Sequence, residues 1–288
     1  MKINEALKKY SLVANRYEKK GRCYIVSTNR GNYVYKDSPP NYEILDYLKT
    51  RNFDYLPKMV SNDEDYQLTR YIEEVNIPKE QRILDMIQLV SLLHSKTTHY
   101  KEVDTYDYDK IYDDLSNNID YLYGYYDDLI GVIESRVYMS PSEYLLARNI
   151  SMIYKMINIS KEKLEKWHDL INGKRKQRNV VLHNNLRLDH FIRNESSYLI
   201  SWDKAKIGNP VFDIYKLYKH HALDFDFSDI LKEYNHRYPF SEDEKELFYC
   251  LITMPSVIEF DDSEYNMCRK ISKEIDTLYK SEQLTKKV

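Results

Sequence analysis

Apolar and polar positions divide the chain into a short-period opening and a long-period remainder. Cys23-Tyr24-Ile25-Val26-Ser27-Thr28 is dense in β-formers, Asn29-Arg30-Gly31-Asn32 reads as a turn, and Tyr33-Val34-Tyr35-Lys36 resumes the strand. This pattern predicts a β-hairpin. Pro39 and Pro40 break the chain before a short helix at Tyr42–Thr50, marked by Ile44, Leu45 and Leu48 at helical spacing. Residues 56–60 and 66–70 read as two further strands around a polar turn at 61–65. The first seventy residues or so are therefore expected to be mostly strand.

Beyond Glu73-Glu74 the period lengthens. Ile83, Ile87, Val90, Leu93 and His94 mark a helix of about four turns. Residues 104–136 carry an acidic, tyrosine-rich helical pattern. Ser140-Pro141-Ser142-Glu143 is a helix start: Ser140 can cap, Pro141 suits the first helical position, and Glu143 completes a capping box. Tyr144, Leu145, Ile150, Ile153, Tyr154 and Ile157 supply the apolar face that follows. The helix extends toward Trp167 and Ile171, with or without a break. Residues 180–203 return to short β-like runs and loops. From Val211 the chain is helical again, interrupted near Pro239 and Pro255. With no internal repeat and no linker, the expected class is α+β: a β-rich lobe at 1–73 and a helical lobe at 74–288.

Composition narrows the function classes. A net charge of −3 on 288 residues provides no basic field for nucleic acid and no acidic tail. The basic run Lys174-Arg175-Lys176-Gln177-Arg178 reads as a solvated loop or helix end. Cys23, Cys250 and Cys268 have no metal-site spacing, and their odd number argues against a closed disulfide framework. No apolar run approaches membrane-spanning length, and the first twenty residues or so hold no signal-peptide core. A cytoplasmic protein is expected. Tyrosine is abundant, with 29 residues, and Tyr121, Tyr123, Tyr125 and Tyr126 crowd one segment. Amphipathic packing explains such a cluster, and an aromatic ligand box is the alternative.

The most specific stretch is Leu182-His183-Asn184-Asn185-Leu186-Arg187-Leu188-Asp189-His190-Phe191-Ile192, followed by Ile200-Ser201-Trp202-Asp203-Lys204-Ala205, Gly208-Asn209-Pro210 and Asp213. It resembles the catalytic segment of the aminoglycoside phosphotransferase superfamily, closest to the bacterial spore-coat CotS-like and YtmP-like branch. The resemblance runs from about Leu12 to Tyr218 and is specific around 182–214. It implies a two-lobed protein-kinase-like fold with ATP as the cofactor. Lys36, at a strand end before a helix, matches the lysine that holds nucleotide phosphates, with Glu43 as its helix partner and Asp46 close by. Tyr71 and Ile72 lie where the strand-to-hinge connection would receive adenine. Residues 17–22 match the flap over the phosphates, with Gly21 as its single glycine. His94 matches a structural histidine.

The resemblance also shows where this chain departs. The family's catalytic loop reads His-Gly-Asp with an Asn five residues after the Asp. Here the matching positions are His183, Asn184 and Asn185, then His190. An amide accepts a hydrogen bond but is no useful base at neutral pH. The family's main magnesium ligand is matched by Ser201, a neutral hydroxyl, and imidazole at His190 suits zinc better than magnesium. Asp203 is the best surviving carboxylate. A metal site rebuilt from Asp189, His190 and Asp203 is the alternative to none. Asp213 matches the Asp that braces the loop backbone. The first expectation is a pseudokinase that binds a nucleotide, a small molecule or a protein partner. The second is an active small-molecule phosphotransferase with a rearranged site, using Asp203 for metal and His183, Asp189 or His190 for the proton. The third is a structural or spore-associated protein.

Overall fold

The computed structural model describes residues 2–102 and 105–286. In chain order the elements begin with α1 (Lys2–Lys9), β1 (Ala14–Lys20), β2 (Cys23–Thr28), β3 (Gly31–Lys36), α2 (Tyr42–Thr50), β4 (Gln67–Arg70) and α3 (Lys79–Thr97). Next come β5 (His99–Glu102), α4 (Thr105–Glu134), α5 (Pro141–Ile171) and β6 (Lys176–Leu182). They are followed by β7 (Phe191–Arg193), β8 (Ser197–Leu199) and β9 (Lys206–Gly208). The chain closes with α6 (Val211–His221), α7 (Phe227–Arg237), α8 (Glu242–Thr253) and α9 (Glu264–Lys286). It gathers into two compact units, Met1–Thr98 with Val180–Gly208, and His99–Asn179 with Asn209–Val288.

The first unit is built on an antiparallel sheet in the order β1-β2-β3-β4. The expected β2–β3 hairpin forms, with Cys23 opposite Lys36 and Thr28 opposite Gly31. Gly31 takes φ +107°, a conformation only glycine adopts cheaply after a tight turn. Two elements go beyond the sequence expectation. Helix α1 buries Ile3, Ala6 and Leu7 against Val26, Tyr33 and Leu68. Their i, i+3, i+4 spacing carried that signal inside a polar opening. Strand β1 is exposed along almost its whole length, so no alternation betrays it; pairing with β2 holds it. Its charged residues suit an edge strand.

The strand expected at 56–60 does not form. Pro57 has no N–H to donate to a ladder. What remains is a single bridge between Met59 and Thr69, and Val60 N and Ser61 N both donate to the Leu68 carbonyl, at 2.7 and 3.2 Å. Ser61, read as part of a polar turn, is fully buried and accepts from Leu68 N at 2.9 Å. The unit extends past residue 73 because α3 packs against β7 and β8. The 180–182 end of β6 pairs with β9, where Leu182 Cδ1 lies 2.9 Å from the position a Cβ would take on Gly208. A larger residue there would have to push the Leu182 side chain aside.

In the second unit α5 packs against α4, α8 and α9. Its capping box forms as read: Ser140 Oγ accepts from Glu143 N at 3.3 Å, and Glu143 Oε2 accepts from Ser140 N at 2.8 Å. The helix runs unbroken through Trp167, burying Ile153, Met156, Leu164 and Trp167. Helix α4 begins at Thr105; Asp104, the expected start of this pattern, lies outside the described residues. Its tyrosines do not converge into a ligand box. Tyr126 is buried with its hydroxyl on the Ser256 carbonyl, and Tyr125 donates to Ile258 O at 2.7 Å, while Tyr121 and Tyr123 are exposed. The basic run is corrected as well. Lys176 to Arg178 belong to β6, whose first residues pair with β5. Arg178 there is ion-paired to the buried Glu244, its guanidinium stacked over Tyr238 at 4.3 Å. Burial opposes the Arg178 charge, but the Glu244 hydrogen bond and charge outweigh it and raise its pKa. Among the described residues, no helix is long and apolar enough to cross a membrane.

Candidate functional site

The candidate site assembles within the first unit, from the end of β3, the start of β4 and the 182–208 segment. Lys36 ends β3, and Asp203 lies in the single helical turn Trp202–Lys204. The Lys36 Nζ is ion-paired with Asp203 Oδ2. Asp203 Oδ1 accepts from Gln67 Nε2 at 2.8 Å and from Ser38 Oγ at 3.4 Å. Gln67 also donates to the Pro39 carbonyl at 3.1 Å, which ties the carboxylate to the loop after β3. Burial opposes the charge on Asp203, but the hydrogen bonds from Lys36 and Gln67 outweigh it and hold the carboxyl below its ordinary value of 3.8. The lysine read from its strand-end position thus meets a carboxylate far along the chain. Its ion-pair partner is Asp203, not Glu43, which is exposed on the first turn of α2; Asp46 pairs with Lys49 at 2.7 Å. The two helix acids lie three positions apart on α2, and the ion pair of Lys36 is made with Asp203 instead.

The 182–201 stretch is shaped by two left-handed residues and two histidines. Asn184 takes φ +59° at the position where the family pattern carries glycine. Asparagine is among the few other residues that tolerate this conformation. Its side-chain amide donates to the Lys204 carbonyl at 2.8 Å. Ser201 is also left-handed, with φ 67° and ψ 55°. His183 is fully buried, with Nε2 2.8 Å from the Ile200 carbonyl and its ring 4.9 Å from that of Trp202. His190 Nδ1 lies 2.7 Å from the Asn185 carbonyl. A carbonyl oxygen can only accept, so these contacts place a proton on His183 Nε2 and on His190 Nδ1. The backbone of Asn185 is thereby tied to His190, the two positions that the sequence paired.

The remaining candidates are dispersed. Asp189 is exposed and pairs with Arg187 at 3.3 Å. Asp189, His190 and Asp203 are engaged by different partners. Among the described residues, no group of three or more His, Cys, Asp or Glu side chains is placed to hold a metal ion. The amide of Asn185, the hydroxyl of Ser201 and the imidazole of His190 do not fit magnesium, which prefers carboxylate and phosphate oxygens. Tyr71 follows β4, and its N–H is already spent on the Asn32 carbonyl at 3.0 Å, so the backbone of Ile72 is the next hinge position. The expected flap at 17–22 is mostly strand β1, with a turn at Gly21, φ +59°. Asp213, on the first turn of α6 in the second unit, is fully buried.

Sequence reading missed three residues that organise this region. Gln67 and Ser38 carry no motif, and only the tertiary fold brings them to Asp203. Arg82, on the first turn of α3, donates through Nε and Nη2 to the Leu188 carbonyl at 3.1 and 2.9 Å, and through Nη2 to the Phe191 carbonyl. Glu74 balances its charge. One guanidinium thus holds both ends of the turn that carries Asp189 and His190.

No family model and no curated protein matches the chain. Among solved structures it is similar to an aminoglycoside phosphotransferase from Alicyclobacillus acidocaldarius, at 10% identity and a TM-score of 0.75, covering 98% of this chain and 94% of that one. It is also similar to spectinomycin phosphotransferase in complex with ADP and spectinomycin, at 12% identity and a TM-score of 0.57, with 98% of each chain covered. A third likeness is to the choline kinase LicA from Streptococcus pneumoniae, at 15% identity and a TM-score of 0.52, covering 96% of this chain and 98% of that one. At such identities the likeness establishes the fold, which is aminoglycoside phosphotransferase-like, with a small antiparallel sheet and a large helical part.

Proposed function

We propose that the chain is a nucleotide-binding protein of kinase-like fold whose phosphotransfer is weak or absent. The pairing of Lys36 with Asp203 carries this reading. The carboxylate two residues beyond Ser201 in sequence is paired with the same lysine that would meet the nucleotide phosphates. A phosphate group arriving at Lys36 must compete with that carboxylate, and among the described residues no group of three or more His, Cys, Asp or Glu side chains is gathered to hold a metal ion. Asn185 adds no base, and the absence of a positioned base costs roughly 10²–10⁴ in rate. Nucleotide binding in this reading rests on Lys36 and on the backbone at Ile72. The ADP complex of spectinomycin phosphotransferase supports it by analogy of fold.

A second reading has its own observation. Asp203 is held in the ionised form, as a metal ligand must be. In an active small-molecule phosphotransferase Asp203 would leave Lys36 for the metal, and His183, Asp189 or His190 would handle the substrate proton. Thermal-shift titration with ATP, with and without magnesium or manganese, separates the readings when joined to a turnover assay over amino sugars, amino alcohols and other hydroxyl compounds. The first reading expects an ATP shift that metal barely changes, and no robust turnover. Strong metal dependence with turnover that disappears in Asp203→Ala establishes the second instead. An absence of any ATP effect points to the structural or spore-associated role.

A further inference from the structure

We propose that the second unit carries a separate site for an amphipathic carboxylate, bounded by α7, α8 and the end of α9. A cavity of about 680 Å³ opens there, within the size range of small-molecule pockets. Its walls are apolar and fixed. Leu231, Phe240, Phe248, Tyr249 and Leu284 are all buried, and the Phe240 ring lies 5.9 Å from that of Phe248 and 5.1 Å from that of Tyr234. Its polar lining holds basic groups and neutral ones, Ser228 and Asn235, and no carboxylate. Lys232, His236 and Lys245 contribute two ammonium groups and an imidazole to the same cavity. Asn235 lends its Oδ1 to the Phe240 N–H at 3.1 Å, which leaves its amide N–H groups to donate.

Three acids on the helices that bound this cavity are already paired. Asp229 pairs with Lys232 at 3.1 Å, an exposed contact within one helix turn that a ligand can replace at little cost. Glu246 pairs with Lys163, and the buried Glu282 with Lys155 and Lys286. Lys245 and His236 form no ion pair among the described residues. A cationic ligand would meet like charge at the rim, and a neutral hydrocarbon would leave the donors unused. A carboxylate on an apolar chain satisfies both parts: its tail replaces water against the aromatic wall, and its head accepts from Lys245, His236 and Asn235. The site does not rest on the nucleotide reading, since none of its residues belongs to the first unit.

Calorimetric titration of the full chain with decanoate, decanol and decyltrimethylammonium tests it, on the wild type and on a Lys232→Gln/Lys245→Gln variant. Both substitutions lie at the cavity rim and leave the apolar wall intact, so thermal denaturation should show a folded variant. Decanoate should bind one to one, about tenfold more tightly than decanol, and the variant should lose about tenfold in decanoate affinity with decanol unchanged. Equal affinity for decanoate and decanol, preference for the ammonium probe, more than one decanoate per chain, no decanoate binding, or a folded variant that binds decanoate as the wild type does would each overturn the proposal.

Discussion

Helix α5 and the 182–208 segment are opposite kinds of structure. The helix announces itself locally: a serine cap, a proline in the first turn, a reciprocal glutamate and a sustained apolar face over 31 residues. The segment has strands of three residues, two left-handed positions and little regular hydrogen bonding of its own. It is held from outside: Arg82 grips its turn from 106 residues away, and Gln67 reaches Asp203 across 136. Helix packing therefore spreads stability over many apolar contacts, while the candidate site depends on a few polar ones. Few contacts make the site easier to alter by single substitutions without unfolding the chain.

That contrast can be broken in order of effect. Trp167→Ala, which empties a fully buried position on α5, should cost about 3–5 kcal/mol in urea denaturation. A loss under about 1 kcal/mol would show that the helical core is loosely packed. Arg82→Ala should cost about 2–3 kcal/mol by freeing two carbonyls and leaving Glu74 unpaired. Amide hydrogen exchange should then speed up around 188–193 while α5 stays protected; uniform acceleration would mean that Arg82 supports the whole unit.

Asp203→Asn should cost about 1–2 kcal/mol at neutral pH, because the Lys36 pair is only partly shielded from water. The pH dependence has a definite sign. A carboxyl whose folded pKa lies below its ordinary value of 3.8 contributes stability above that value and loses it as pH falls through the depressed one. The wild type should therefore lose more stability than Asp203→Asn on acidification below about pH 4. Identical acid limbs would remove Asp203 from the stability of this region. Smallest of all, Ser201→Gly should stabilise by about 0.5 kcal/mol, the relief of a left-handed non-glycine less the added freedom of the unfolded chain. A thermal midpoint that falls instead would mean the Ser201 side chain makes a compensating contact.

Most helices were legible because each carries its own signal. The capping box at Ser140, the breaks near Pro239 and Pro255, and the Tyr42–Thr50 helix all formed as read. Strand β1 was not legible, since an exposed edge strand of charged residues has no burial pattern. The 56–60 run has the apolar composition of a strand, but Pro57 withdraws a donor that a ladder needs, and only the Met59–Thr69 bridge forms. At the site, Lys36 and the 182–214 segment stood out from sequence, and Asp203 was recognised as the surviving carboxylate. The ion pair of Lys36 is with Asp203 and not with Glu43, the partner the resemblance implies; a helix acid seven residues away in sequence need not be a neighbour in space.

By itself, then, the sequence determined the element types with strong periodicity, the α+β order and the neutral residues at Asn185 and Ser201. Periodicity, capping and side-chain chemistry act within a few residues and need no fold to be read. Tertiary structure alone decided that Asp203, Lys36, Gln67 and Ser38 share one hydrogen-bonded cluster, and that Arg82 holds the turn before β7. Such contacts are single polar bonds across a hundred residues or more, and nothing in local patterning records them. The physical reason is range: an apolar stripe repeats its message along the chain, whereas an ion pair is expressed only when folding brings its two ends together.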